Sequence, residues 1–122
     1  MLVTAQDNVK AYTVEDIAKI VAQAHSAARE ATQDYIDRTL GGQDSMPCGF
    51  AWIEIMNIRS NSKVGRAFSL LGISKLTGKF LYWHNPGGVP VQNVDAKMAG
   101  AVAAKRVLEG YGFDAYAVDR LD

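Results

Sequence analysis

Apolar residues recur at spacings of three and four from Ile17 through Ile20, Val21, Ala24, Ala27, Ala28 and Ala31, and Tyr35 and Ile36 extend the same face. That period predicts one long amphipathic helix over 14–39. Thr13 stands before Val14-Glu15-Asp16 as a capping-box variant, with Asp16 in the position usually held by Glu or Gln. Gly41-Gly42 supplies the left-handed turn that ends the helix. The period then changes to two. In Gly49–Met56, Phe50, Trp52, Glu54 and Met56 share one face while Ala51, Ile53 and Ile55 share the other. Ile53 and Ile55 are the expected core, and Glu54 is expected at an edge or beside a basic residue.

Val64, Ala67, Phe68 and Leu71 predict a short helix over 63–71, stopped by Gly72. An aromatic strand over 79–84 follows, in which Tyr82 and Trp83 face opposite ways. One of the two is expected in the core and the other available for stacking, the alternative being that both serve the core or a subunit interface. Asn93 caps a last helix over 94–109, with Asp95 in its first turn, and Phe113–Val118 is read as a terminal strand. Residues 1–12 carry no period and are read as an arm. The order predicts a single α+β domain over 1–122. In it a long N-terminal helix and a second C-terminal helix pack on a small, antiparallel sheet. The alanine stripe of the first helix and the sheet edges point to an oligomer.

Composition narrows the function classes. With 122 residues, 48% hydrophobic and 21% charged, the chain suits one globular domain. No run reaches the length of a membrane span, and no apolar core of a signal peptide opens the chain, so the cytoplasm is the expected compartment. Cys48 is the only cysteine, which excludes an internal disulfide. A net charge of zero argues against bulk nucleic acid as a partner. The charge is unevenly spread, however. Residues 1–54 carry four Lys/Arg against eight Asp/Glu, whereas 55–94 hold Arg59, Lys63, Arg66, Lys75 and Lys79 with no acid.

Little in the sequence points to catalysis. His25 and His84 have no metal-ligand spacing, and they read as a helix-surface and a strand-end residue. Cys48 reads as an inert small hydrophobe. No phosphate-loop motif is present. The sharpest candidate is the stretch Lys79–Lys97, where an aromatic strand, the turn Asn85-Pro86-Gly87-Gly88 and a helix N-terminus follow one another. This combination suits a planar anionic ligand, while the bland alternative is a simple strand-to-helix connection. Arg29, Arg59, Arg66, Arg106 and Arg120 are each able to fork a phosphate.

PCGFAWIEI (Pro47–Ile55), NPGG (85–88), QNVDAK (Gln92–Lys97) and the closing DRLD resemble small phage proteins, and size and layout resemble the Thoeris anti-defence sponges of phages. The resemblance implies a hexamer built from dimers. It also implies binding of a cyclic ADP-ribose-type or cyclic oligonucleotide immune signal without cleavage, in the cytoplasm of an infected bacterial cell. Trp83 would take the place of the family's stacking phenylalanine and Asn93 that of its asparagine, with Arg29, Arg106 and Arg120 on phosphate. Together with Asp95 and Arg59 these form the candidate ligand-binding set. No catalytic residue, metal or cofactor is expected. A protein-binding inhibitor of a host defence system, or a small nucleotide hydrolase, remain the alternatives.

Overall fold

A computed structural model describes residues 9–75 and 80–122. The helix α1 spans Val14–Thr39, β1 Gly49–Met56, α2 Lys63–Leu70, β2 Ser74–Lys75, β3 Phe80–His84, α3 Val94–Gly110 and β4 Ala115–Leu121. The α+β class and the antiparallel sheet are as expected. Residues 1–8 of the expected arm over 1–12, and Lys79 at the start of the aromatic strand, lie outside the described residues. At the end of the arm, Val9 is buried in the core and Tyr12 packs against it, its hydroxyl donating to the Tyr111 carbonyl at 2.7 Å.

α1 starts where its cap dictates. Thr13 Oγ1 accepts the Asp16 N–H at 3.1 Å, and the Asp16 carboxylate accepts the Thr13 N–H at 2.9 Å. Hydrogen bonding to it by the Thr13 N–H, and next by the Thr13 hydroxyl, holds the Asp16 carboxyl below the ordinary carboxylate range. A carboxyl depressed in the folded state adds stability above its unfolded pKa, and that contribution is lost as pH falls through the folded value. The stability gap between the natural chain and Asp16→Asn is therefore expected to shrink from about pH 7 to about pH 3. Urea denaturation at both ends checks this, and a constant gap would remove the carboxylate from the account.

The buried stripe of α1 is Ile17, Ile20, Ala24, Ala28, Thr32 and Ile36. Its partner is α3 of the same chain, and this is the most extensive contact between elements. Ala24 and Ala28 of the alanine stripe are thus buried within the chain, while Ala27 and Ala31 are half-buried. Gly100 of α3 makes the approach possible, because a Cβ there would collide with Thr32 Oγ1 and lie 3.0 Å from the Ala28 carbonyl oxygen.

The sheet runs β2-β3-β1-β4, every neighbour antiparallel. The two-residue strand β2 is an addition to the three strands expected from the sequence. From β1 onward the chain reads β-α-β-β-α-β, the split arrangement in which the first and third strands are central; α1 is an extra helix in front of it. β4 begins later and ends later than the sequence predicts. Phe113 is instead a core residue in the turn after α3, its N–H bonded to the Leu108 carbonyl at 3.1 Å.

The core lies between the helices and one face of the sheet. Ala51, Ile53, Ile55, Phe68 and Leu108 are fully buried, and Leu81 and Ala115 are nearly so. Truncating one of the large side chains among them, such as Ile53 or Leu108, to alanine costs about 2–5 kcal/mol. Glu54 is not at an edge, and among the described residues no cation forms a salt bridge with it. β1 is a central strand, and Glu54 projects half-buried from the uncovered face, where Trp52 Nε1 donates to it at 3.0 Å.

Candidate functional site

The register places Trp52 opposite His84, Glu54 opposite Tyr82 and Met56 opposite Phe80 on one side of β1, and Phe50 opposite Arg120, Trp52 opposite Val118 and Glu54 opposite Tyr116 on the other. All of these side chains project from the same face, and each is half-buried or exposed. Antiparallel sheets with one solvated face ordinarily alternate apolar-in and polar-out. This one carries nearly all of its aromatics on the outer face, with Trp83 alone on the inner one, and none of the described helices covers the outer face.

The centre of that face is an aromatic row. Trp52 and Tyr82 have ring centroids 5.8 Å apart, Phe50 and His84 6.0 Å, and Tyr82 and His84 6.2 Å with planes only 18° apart. The Arg120 guanidinium sits 5.7 Å from the Phe50 ring centroid and Lys97 Nζ 5.4 Å from it. Phe50, Trp52, Tyr82, His84 and Arg120 line an open-sided cavity of about 380 Å³. Burial pushes the Tyr82 hydroxyl above the ordinary phenol range, against the pull of the Arg120 guanidinium, so it stays a neutral donor near pH 7. The arrangement offers π-faces for a planar group and a fork of N–H donors for an anion at one end.

The residues marked out by the sequence lie in several places. Trp83 is on the opposite, helix-covered face, across from Ile53 in the register, and packs partly buried against the core. Asn93 is 1% exposed and fully engaged. Its Oδ1 accepts the Ala96 N–H at 2.8 Å, and its Nδ2 donates to the Ser45 and Met46 carbonyls at 2.9 and 3.2 Å. The anion position in front of α3 is held by the chain itself, since the Gln92 and Asn93 N–H groups donate to the Asp44 carboxylate at 2.8 and 3.0 Å. Asp95 is exposed in the first turn of α3.

Arg29 is exposed on α1 among Glu30, Asp34 and Asp37. Its backbone meets the NPGG turn, for a Cβ at Gly87 would lie 3.1 Å from the Arg29 nitrogen, and His25 Nδ1 is 2.7 Å from the Pro86 carbonyl oxygen. Arg59 lines a cavity of about 210 Å³ with Lys10 and Lys63, and Arg106 is exposed on α3. Of the seven candidates only Arg120 belongs to the aromatic row. Phe50, Trp52 and His84 joined that row without being singled out, although the period-two alternation of β1 already put Phe50 and Trp52 on one face.

Reactive groups are otherwise sparse. Cys48 donates to Met46 Sδ at 3.3 Å and to Gln92 Oε1 at 3.4 Å, and neither histidine is hydrogen-bonded to it among the described residues. Among those residues no group of three His, Cys, Asp or Glu side chains is placed to hold a metal ion. No described helix is long and apolar enough to cross a membrane. Comparison with known protein families, with curated proteins and with solved structures finds no match to this chain.

Proposed function

We propose that the chain is a non-enzymatic binding protein for a nucleotide-derived small molecule, held intact against the outer face of the sheet. The observation that carries this reading is the row Phe50, Trp52, Tyr82 and His84 with Arg120 at its end. A base stacks on the rings, each stacking contact being worth about 1–3 kcal/mol, and Arg120 pairs with phosphate. Sequestration of a cyclic ADP-ribose-type or cyclic oligonucleotide immune signal by a phage anti-defence protein is the role that the sequence resemblance names, and it fits a site built for holding. Assembly into dimers or hexamers belongs to the same proposal.

The test is to heat the purified protein and analyse what it releases by mass spectrometry. An intact nucleotide-derived molecule is expected; recovery of cleaved product alone would assign an enzyme instead. The same measurement on variants locates the site. Arg120→Ala and Trp52→Ala are expected to lose the bound molecule while keeping the fold. Loss through Trp83→Ala alone would move the site to the helix-covered face.

A further inference from the structure

We infer that the outer face of the sheet takes more than one base, and that it binds a short single-stranded oligonucleotide across β1 and β3. The inference rests on the reading of this face as a base-stacking surface. It goes further because of where the rings lie. They occupy the two central strands of a four-stranded antiparallel sheet whose described helices pack on the other side. Sheets of that build hold single-stranded RNA by stacking two or three bases on aromatics of the central strands.

The spacing supports separate bases. Ring centroids 5.8 to 6.2 Å apart form neighbouring ledges rather than one slot. Each ledge presents a π-face to one base of an unstacked strand. Charge is distributed to match. Arg120, exposed, lies by Phe50 at one end, where a phosphate would sit, whereas Lys97 Nζ beside the same ring is buried and donates to the Gly49 carbonyl at 2.8 Å. Glu54, held by Trp52 Nε1, is a carboxylate in mid-row and accepts hydrogen bonds from base amino groups such as adenine N6. Asp114, hydrogen-bonded to Tyr116, lies at the far end, away from the phosphate position.

The polar groups also decide between occupants. Packing a second copy sheet-to-sheet would bury Arg120, Glu54 and the Tyr82 hydroxyl in an apolar layer, which is costly unless each finds a partner. A nucleotide strand supplies partners of the right kind for all three. With a net charge of zero, the phosphate contribution is small, so stacking dominates and duplex is disfavoured.

The experiment is fluorescence anisotropy with a fluorescein-labelled oligoadenylate of about eight nucleotides, against adenosine monophosphate as competitor and a duplex of equal length. Binding of the single strand at least about tenfold tighter than the mononucleotide or the duplex is expected. Tyr82→Ala and Trp52→Ala should each weaken it by about tenfold, and Lys19→Ala, an exposed cation on α1, should not. If Tyr82→Ala fails to fold, Tyr82→Leu keeps the bulk and removes the ring. Equal affinity for oligonucleotide and mononucleotide overturns the inference and leaves the single-base reading standing. Binding of neither overturns both. A stable dimer that ignores the oligonucleotide and is split by Trp52→Glu assigns the face to a second copy, and overturns the inference as well.

Discussion

Gly65→Ala is expected to lower stability by about 3 kcal/mol, and the melting temperature by about 10 °C. Gly65 is buried in the first turn of α2, where a Cβ would run into the Arg59 carbonyl oxygen and lie 3.0 Å from Ser60 Cα. Both obstacles are backbone, so no side chain can rotate out of the way. The turn Arg59–Ser62 and the cap, in which the Gly65 N–H donates to Ser62 Oγ at 3.0 Å, would have to separate. Gly110→Ala is the matched control. It sits at the end of α3 with nothing within 4 Å of a new Cβ, and alanine is the better helix former by about 1 kcal/mol. Thermal unfolding of the two variants should therefore move in opposite directions. Equal and small shifts would show that the α2 turn yields easily.

The second large effect is at Asn93. Asn93→Ala removes a helix cap, at about 1 kcal/mol, and leaves buried donors and acceptors without partners, at about 1–3 kcal/mol. A total near 3 kcal/mol is expected by urea denaturation. Asn93→Ser should recover the cap portion alone, since a hydroxyl can accept from Ala96 but does not reach Ser45 and Met46. The measurement also separates two roles. If Asn93 serves the fold, ligand capacity per folded molecule is unchanged in Asn93→Ser; if it serves a ligand, capacity falls while stability holds.

Legibility in the sequence followed the range of the forces involved. α1 and β1 were readable to the residue, because their starts and stops are local: a Thr13–Asp16 box, two glycines with positive φ, and a strict alternation. β4 was misplaced because Asp119 and Arg120 look like a polar tail. Backbone pairing with Ala51 and Phe50 nevertheless carries the strand to Leu121, and on an edge strand it tolerates polar side chains. The alternation of Tyr82 and Trp83 was visible, but which of them the helices cover is a tertiary outcome. α3 and α1 cover the face that holds Ile53, and so Trp83 with it. The tie from Asp44 to Asn93 spans a separation of 49 residues and has no local signature.

That tie has a consequence for how the molecule opens. The segment leaving α1 and the segment entering α3 are joined at one carboxylate, and the Val94 N–H reaches back to the Pro47 carbonyl at 2.9 Å beside the Cys48–Asn93 bridge. Two connections far apart in the chain therefore form a single cooperative unit, which cannot fray one loop at a time. In hydrogen exchange the Gln92 and Asn93 amides, although outside regular structure, would exchange together with the first turn of α3. The aromatic face borders this unit through Phe50, so its Arg120 end is anchored to the slow-opening part of the fold.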